Sequence, residues 1–497
     1  MGFTGGASTG AQAPASQSTV AASAAATALP GGFVQEVVAA GANVPTAFTF
    51  LPDGRILIAE KAGTVRLYKN GALLPTPFLD LQDRVNDYWD HGLRGIAADP
   101  NFAQNGYVYV LYTYENDAGD YSGTKTQRLT RVTASGDTAP SGSEVVILGT
   151  MVGRSCNDFP AGADCLPADA PVHEGGNIKF AADGTMFVSL GDAAHYNFVN
   201  DNALRAQNLD SLAGKILHVT ATGAGLSTNP FWNGNAEASR SKVWAYGVRN
   251  PWRFTLRPGS GLPYIGDVGW STWDEIDVGV AGANLGWPCY EGDDRQSGYE
   301  PLAVCQALYA RGTGAVRSPL VAYNGGGVGT NGGMSVTGGV FYTGTTYPAQ
   351  YQGAYFYGDY VQGFMRSLRV DAGDNLTEGP SDFATGADGP LDIDLGPDQN
   401  LYYLAINTGE LRRIRYAGSG VVNCLTGEYL AEYYPNATLS GAPTFRRCET
   451  RIDNDWGDGG PGGGLGNDNF SVRWTGRHTF VAGDYTFTAR SDDGIRL

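Results

Sequence analysis

The sequence predicts an all-β chain whose main body is a six-bladed β-propeller, and three observations lead there. Of 497 residues, 72 are glycine and 27 tyrosine, with 42% hydrophobic and only 17% charged. Such a balance suits many tight turns between aromatic-rich strands. A meander of short alternating strands recurs six times along the chain. The spacing of these units is uneven, which excludes a solenoid of fixed period.

The first unit, Phe48 to Asn70, reads TFLP, then RILIAEK after Asp53-Gly54, then TVRLYK after Ala62-Gly63. This is the core of one blade. The pattern returns as GIAADPNFAQNGYVYVLYTY from Gly95, NIKFAADGTMFVSLGD from Asn177 and WRFTLRPGSGLPYIGDVG from Trp252. It returns again as GGVFYTGTTYPAQYQGAYFYGDYVQGFMRSL from Gly338 and LDIDLGPDQNLYYLAINTGELRRIRY from Leu391. Radial repetition of such sheets shields their edges, and the Gly, Pro and Cys-bearing insertions between units are where a functional mouth is built.

The length exceeds the roughly 250 to 300 residues at which one hydrophobic core stops growing, so a second domain is expected. A formal charge of −17 repels polyanions and argues against nucleic acid or an anionic bilayer as partner. The six cysteines fall as neighbouring couples, Cys156 with Cys165, Cys289 with Cys305 and Cys424 with Cys448, none in Cys-x-x-Cys spacing. Three local disulfides and an oxidising, extracellular or periplasmic location follow, the alternative being six unrelated buried thiols. Residues 1–30 carry no charge and are rich in Ala, Ser, Thr and Gly. They read as a low-complexity linker or the remnant of a leader, too weakly apolar to span a membrane.

Aligning the six units on their turns places Asp90 and His91, His173, Arg249 and Asn250, and Gly389 immediately before the innermost strands. These positions are expected to ring one mouth of the central channel. His173 precedes Glu174-Gly175-Gly176, whose glycines permit close approach of a ligand. Judged alone, a histidine there is more often a satisfied structural residue than a base.

The segments HEGGNIKFAADGTMFVSLGD, AQNLDSLAGKIL, VWAYGVRNPWRF and IGDVGWSTWDEIDVGVAGANLGWP, with HGLRGIAADPNFAQNGYVYVLYT and YQGAYFYGDYVQG, are joined by their order. Together they resemble the glucose/sorbosone dehydrogenase family over residues 31–416. The resemblance implies an oxidoreductase using pyrroloquinoline quinone and calcium, with an external electron acceptor. It makes His173 the general base that takes the anomeric hydroxyl proton of an aldose, which becomes a lactone, and Asp192 the group that orients it. Arg249 would stabilise charge on the quinone oxygen, and Asp90 and Asn250 would contact the cofactor. Backbone carbonyls at Gly269 and Trp270 would hold the calcium. The structural alternatives are an ordinary inter-blade ion pair for Arg249 and a packed turn at Gly269-Trp270.

Two expected elements are missing. The family's quinone hosts supply a lysine from the fifth blade and an arginine pair from the sixth. Here no lysine follows Lys242, and the sixth unit opens Gly389-Pro390-Leu391-Asp392. Arg94, Arg253 or Arg366 are the candidates to compensate. If none does, the alternative is a non-catalytic propeller that binds glycans or proteins.

Past Arg415-Tyr416 and a linker at 417–421, residues 422–497 contain EYYPNATLSG, DNDWG, FSVRWTG and GDYTFTARSDDGIRL. These resemble the first half of the protective-antigen fourteen-kilodalton domain. An incomplete carbohydrate-binding β-sandwich is implied, with Asp492 and Asp493 as calcium or glycan ligands or, alternatively, a polar turn. The natural chain is then expected to continue beyond Leu497, because half a sandwich leaves open edges. The full expectation is all-β, a six-bladed β-propeller followed by an incomplete β-sandwich.

Overall fold

The computed structural model describes residues 27–497 apart from 141, 325–333, 419–421, 423, 425–426, 442, 458, 463–464, 478–482 and 492. Six antiparallel sheets follow one another along the chain, each with its first strand at one edge and its successors hydrogen-bonded outward in order. The innermost strands are Pro45–Phe50, Leu93–Ala98, Gly175–Phe180, Pro251–Leu256, Val336–Phe341 and Pro390–Leu395. They correspond to the six units read from the sequence, and we number the blades 1 to 6 in that order.

The outer edge of blade 6 comes from the other end of the chain. Phe33–Ala40 pairs antiparallel with Glu410–Tyr416, from Phe33 opposite Tyr416 to Ala40 opposite Glu410. Glu36 accepts hydrogen bonds from Arg413 and Arg415 across that pair. The ring is thereby closed by sheet pairing rather than by side-chain contact alone, and the third strand of blade 6 is not left as an open outer edge.

Each innermost strand shows the same irregularity where it begins. The pairing register shifts between Pro45 and Ala47, Leu93 and Gly95, Gly175 and Ile178, Pro251 and Arg253, Val336 and Gly338, and Pro390 and Ile393. A bulge at a strand end re-aims the side chains beside it. Six pseudo-equivalent bulges therefore turn the residues just before them toward a common mouth.

Alternate residues of the blades pack against the next blade. Leu57, Val65, Leu67, Leu93, Val108 and Val110 form one such layer and are fully or nearly fully buried. Near the axis the backbones come too close for side chains, since a Cβ on Gly95 would lie 2.4 Å from the Gly176 carbonyl oxygen. The channel itself is crossed by charge. Arg253 of blade 4, 2% exposed, lies 3.3 Å from Asp392 of blade 6. It also donates to the carbonyl oxygens of Arg94 and Thr46 in blades 2 and 1. Lys179 of blade 3 pairs with Asp394 of blade 6 at 2.7 Å. Guanidinium suits this position because its five donors can be shared among several acceptors.

All three expected disulfides are formed. Beyond the propeller, Tyr429–Tyr434 is the central strand of a three-stranded antiparallel sheet between Phe445–Glu449 and Ser471–Gly476. Glu432 in that central strand accepts from Arg446 on one side and Arg473 on the other. Among the described residues no strand follows Gly476, so GDYTFTAR forms none despite its alternation. Among the described residues no helix is long and apolar enough to cross a membrane.

Candidate functional site

Three segments are stitched together at the mouth by their backbones. The Asp192 N–H donates to the Arg249 carbonyl at 2.8 Å, and the Ala193 N–H donates to the His173 carbonyl at 3.0 Å. The approach is so close that a Cβ on Gly191 would lie 2.0 Å from the His173 oxygen. His173 itself has φ +56°, a left-handed conformation that costs a non-glycine residue energy and persists where its surroundings hold it.

The side chains converge as the backbone dictates. His173 Nδ1 lies 3.2 Å from Asp192 Oδ1, and Arg249 donates to His173 Nε2 at 2.8 Å. A guanidinium has no acceptor, so Nε2 must present its lone pair and the proton sits on Nδ1, donated to Asp192. Asp192 is fully buried and also accepts from the Ala194 N–H at 2.9 Å and from Trp287 Nε1 at 2.7 Å. Burial, then the adjacent Arg249 charge, push the His173 pKa below the ordinary imidazole value against the pull of Asp192. Burial alone would raise Asp192, but its hydrogen bond to His173 and the neighbouring charges hold it below the usual carboxylate range. The result is a neutral imidazole with an oriented ring and a basic nitrogen facing Arg249.

Arg249 is anchored at its other nitrogen, donating to the Val268 and Gly269 carbonyl oxygens at 2.9 and 2.5 Å. Its guanidinium also lies 5.4 Å from the Trp287 ring centre. The Asp267 carboxylate accepts from the backbone N–H groups of both Arg249 and Asn250. The Asn250 side chain in turn accepts from the Gly175 N–H at 3.2 Å. Thus His173, Asp192, Arg249 and Asn250 do come together, from blades 3 and 4.

Other expected positions are placed differently. Asp90 meets this group through its backbone, its N–H donating to the Pro171 carbonyl at 3.1 Å and its own carbonyl accepting from Arg94. Of the two carbonyls expected to hold calcium, those of Gly269 and Trp270, the Gly269 oxygen accepts from Arg249, as does that of Val268. The Trp270 N–H instead donates to Glu291, which gathers the backbone N–H groups of residues 270–273. Asp492 lies outside the described residues, while Asp493 is exposed.

None of the three arginines proposed to compensate for the missing cations is available. Arg94, 1% exposed, is paired with Glu174, itself 2.8 Å from His91 Nε2. Arg253 is committed to Asp392, and Arg366 donates to Asp382 at 2.8 Å on the outer part of its blade. Blade 6 brings Arg412 toward the mouth, but it is buried and paired with Asp388 and Glu410. Each buried cation already has its counter-charge, which is what makes its burial tolerable. The described residues therefore offer Arg249 and Asn250, held side by side by Asp267, to the redox end of a carboxylated quinone. They do not supply the expected clamp for its carboxylates.

Comparison with known proteins gives the family of the chain. A glucose/sorbosone dehydrogenase family model matches residues 42–413, and a PA14 domain model matches residues 426–497. The chain belongs to the glucose/sorbosone dehydrogenase family. It is 27% identical over 392 residues to the aldose sugar dehydrogenase YliI of Escherichia coli K12, spanning 78% of this chain and 94% of that protein. It is 28% identical to the HIPL2 protein of Arabidopsis thaliana, over 65% of this chain and half of that protein. The solved apo-form of the soluble aldose sugar dehydrogenase of E. coli superposes with a TM-score of 0.60 at 25% identity. That match covers 77% of this chain and 99% of the other.

Several participants were not singled out from the sequence. Trp287 lies within the GANLGWP segment that carried the family resemblance, so its motif was visible and its role was not. Its bond to Asp192 joins positions 95 apart. Arg205 donates to the Asp192 carbonyl at 3.0 Å from a short helix between blade strands, and nothing local to it announces that contact.

Proposed function

We propose that the chain is an exported sugar oxidoreductase that oxidises an aldose at its anomeric hydroxyl, giving a lactone. The observation that carries this reading is the buried Asp192–His173 pair whose Nε2 accepts from Arg249 and is thereby left unprotonated. His173 takes the hydroxyl proton at Nε2 as the anomeric hydrogen leaves with its electron pair. Asp192 then stabilises the imidazolium and, with Trp287 holding its second oxygen, keeps the ring from turning. Arg249 must yield Nε2 to the substrate hydroxyl, and its charge then faces the oxygen on which electron density accumulates.

Pyrroloquinoline quinone and calcium are the groups the family suggests. Backbone carbonyls at Gly269 and Trp270 would supply oxygen ligands of the hard kind calcium prefers, with Arg249 and Asn250 beside the quinone carbonyls. Such a quinone, when bound, supplies the two-electron acceptor that side chains lack, and an external acceptor would reoxidise it. The C-terminal PA14 domain is proposed to bind carbohydrate, and the three disulfides support an extracellular or periplasmic site of action.

A second reading is a propeller that binds glycans or proteins without redox chemistry, and the absence of uncommitted cations among the described residues of blades 5 and 6 favours it. The two are separated by incubating the full chain with the quinone and calcium, then following dye reduction with a panel of aldoses. Reduction that disappears in His173→Ala supports oxidation. No reduction with any sugar, together with no tight quinone binding, establishes the second reading instead.

A further inference from the structure

An aromatic strip leaves the candidate site along the rim between blades 2 and 3. It runs through Tyr121, Tyr88, Trp89, Tyr196, His195 and Phe198, each ring centre 4.6 to 6.4 Å from the next. Hydrophobic side chains of this size are ordinarily covered, yet Trp89 is 51% exposed, Phe198 53% and Tyr121 47%. Tyr88, His195 and Tyr196 between them are half-buried; scattered exposed apolar residues need no explanation, whereas exposed rings joined by others in mutual contact mark a contact surface.

The strip is built to stay open. Trp89 has φ +53°, unfavourable for a bulky residue, in a turn closed by the His91 N–H donating to the Tyr88 carbonyl at 3.0 Å. The Tyr196 carbonyl is pinned by Trp270 Nε1 at 2.6 Å. Both halves connect directly to the site. Asp90, next to Trp89, is bonded through its N–H to Pro171, two residues before His173. Tyr196 follows Asp192 by four residues, and Ala193 between them is bonded to the His173 carbonyl.

The chemistry of the row favours one class of occupant. The ring planes are tilted to one another by 15 to 69°; the Asp87 carboxylate accepts from the Tyr121 hydroxyl, Asn197 is exposed, and Lys61, the cation tied to this loop, is occupied by the Asp87 carbonyl oxygen. Aromatic faces offer the C–H-rich face of a sugar ring its contact, and neighbouring carboxylate and amide groups take its hydroxyls. A row with no uncommitted Lys or Arg beside it among the described residues, on a chain of net charge −17, opposes acidic glycans. We infer that this strip is a subsite for a neutral oligosaccharide whose reducing-end unit lies at His173 and whose following units stack on Trp89, Tyr196 and Phe198. The inference rests on the sugar-oxidation reading for the direction of the chain, and the binding it asserts can be measured without oxidation.

The test is calorimetric titration of the full chain with cello- and malto-oligosaccharides of one to five glucose units, repeated with Trp89→Gly and Phe198→Ala. Glycine suits the left-handed turn at 89, so that variant is expected to keep its thermal midpoint. The expected result is affinity rising at least tenfold from one unit to three in at least one series, with the gain falling below twofold in both variants. His173→Asn is expected to retain the length dependence, which separates this subsite from the chemistry. Affinity independent of length, or a length dependence that survives in both variants and so resides elsewhere in the chain, overturns the inference. Length-dependent binding that is lost in the variants, but with no sugar oxidised, upholds the subsite and refutes only the oxidoreductase reading.

Discussion

Replacing Arg249 by glutamine should raise the pKa of His173, and the size of the rise follows from the geometry. The guanidinium nitrogen is 2.8 Å from Nε2, which places the two charge centres about 4 Å apart once the imidazole is protonated. Unit charges at that distance repel by about 4 kcal/mol at an effective dielectric near 20. At 1.36 kcal/mol per unit this bounds the effect at about three pH units. Burial, the larger cause of the depression, remains in the variant, so the pKa is expected to rise by only part of that bound. Asp192→Asn should move the same pKa downward, because it removes the attraction. Histidine side-chain nitrogen shifts, followed by NMR on selectively labelled protein across pH, report both the pKa and the tautomer. A wild-type ring with its proton on Nε2, or a pKa that stays put or falls in Arg249→Gln, would refute the reasoning. The linkage has a definite sign. The folded pKa lies below the unfolded one, so between them the unfolded chain binds more protons and stability rises with pH, at most by about 1.4 kcal/mol per unit. Arg249→Gln should narrow that window.

Three further outcomes are expected. Asp192→Asn sets an amide nitrogen against donors from His173, Ala194 and Trp287, and should cost about 1–3 kcal/mol of stability in chemical denaturation. In sugar oxidation it should lower kcat by about 10²- to 10⁴-fold with little change in KM, and a kcat within threefold of wild type would remove Asp192 from the proposed chemistry. Asp392→Ala strips the counter-charge from a buried Arg253 and a partner from the Phe48 N–H. It should destabilise the propeller by about 3–5 kcal/mol, and a loss under about 1 kcal/mol would show that the channel cation is satisfied otherwise. Replacing Cys289 and Cys305 together by serine opens a loop whose ends are 16 residues apart. About 3 kcal/mol of stability should be lost, and an unchanged denaturation midpoint would mean that the surrounding aromatic packing holds the insertion alone.

What the sequence by itself determined was local and periodic. Each blade is a run of neighbouring strands, so alternation and turn residues within about thirty positions sufficed to count six of them. The same locality exposed His173 before its two glycines, Asp192 at the end of the next strand, and Arg249-Asn250 before the fourth inner strand. The cysteine pairs were legible because their partners are near neighbours in the chain.

Only the tertiary structure decided the rest, because those contacts join distant segments. Phe33–Ala40 is a short β-branched segment like many strands, and nothing in it names a partner at Glu410–Tyr416; ring closure selects that edge because it would otherwise lie unpaired. Arg94 and Arg253 were plausible cofactor cations as letters, and burial against Glu174 and Asp392 made them counter-ions instead. The carbonyls facing Arg249 are those of Val268 and Gly269 because a carbonyl's direction is set by backbone angles, which residue identity leaves open. Above all, the unprotonated Nε2 of His173 is a property of Asp192 and Arg249 approaching from opposite sides, and that exists only once blades 3 and 4 have packed.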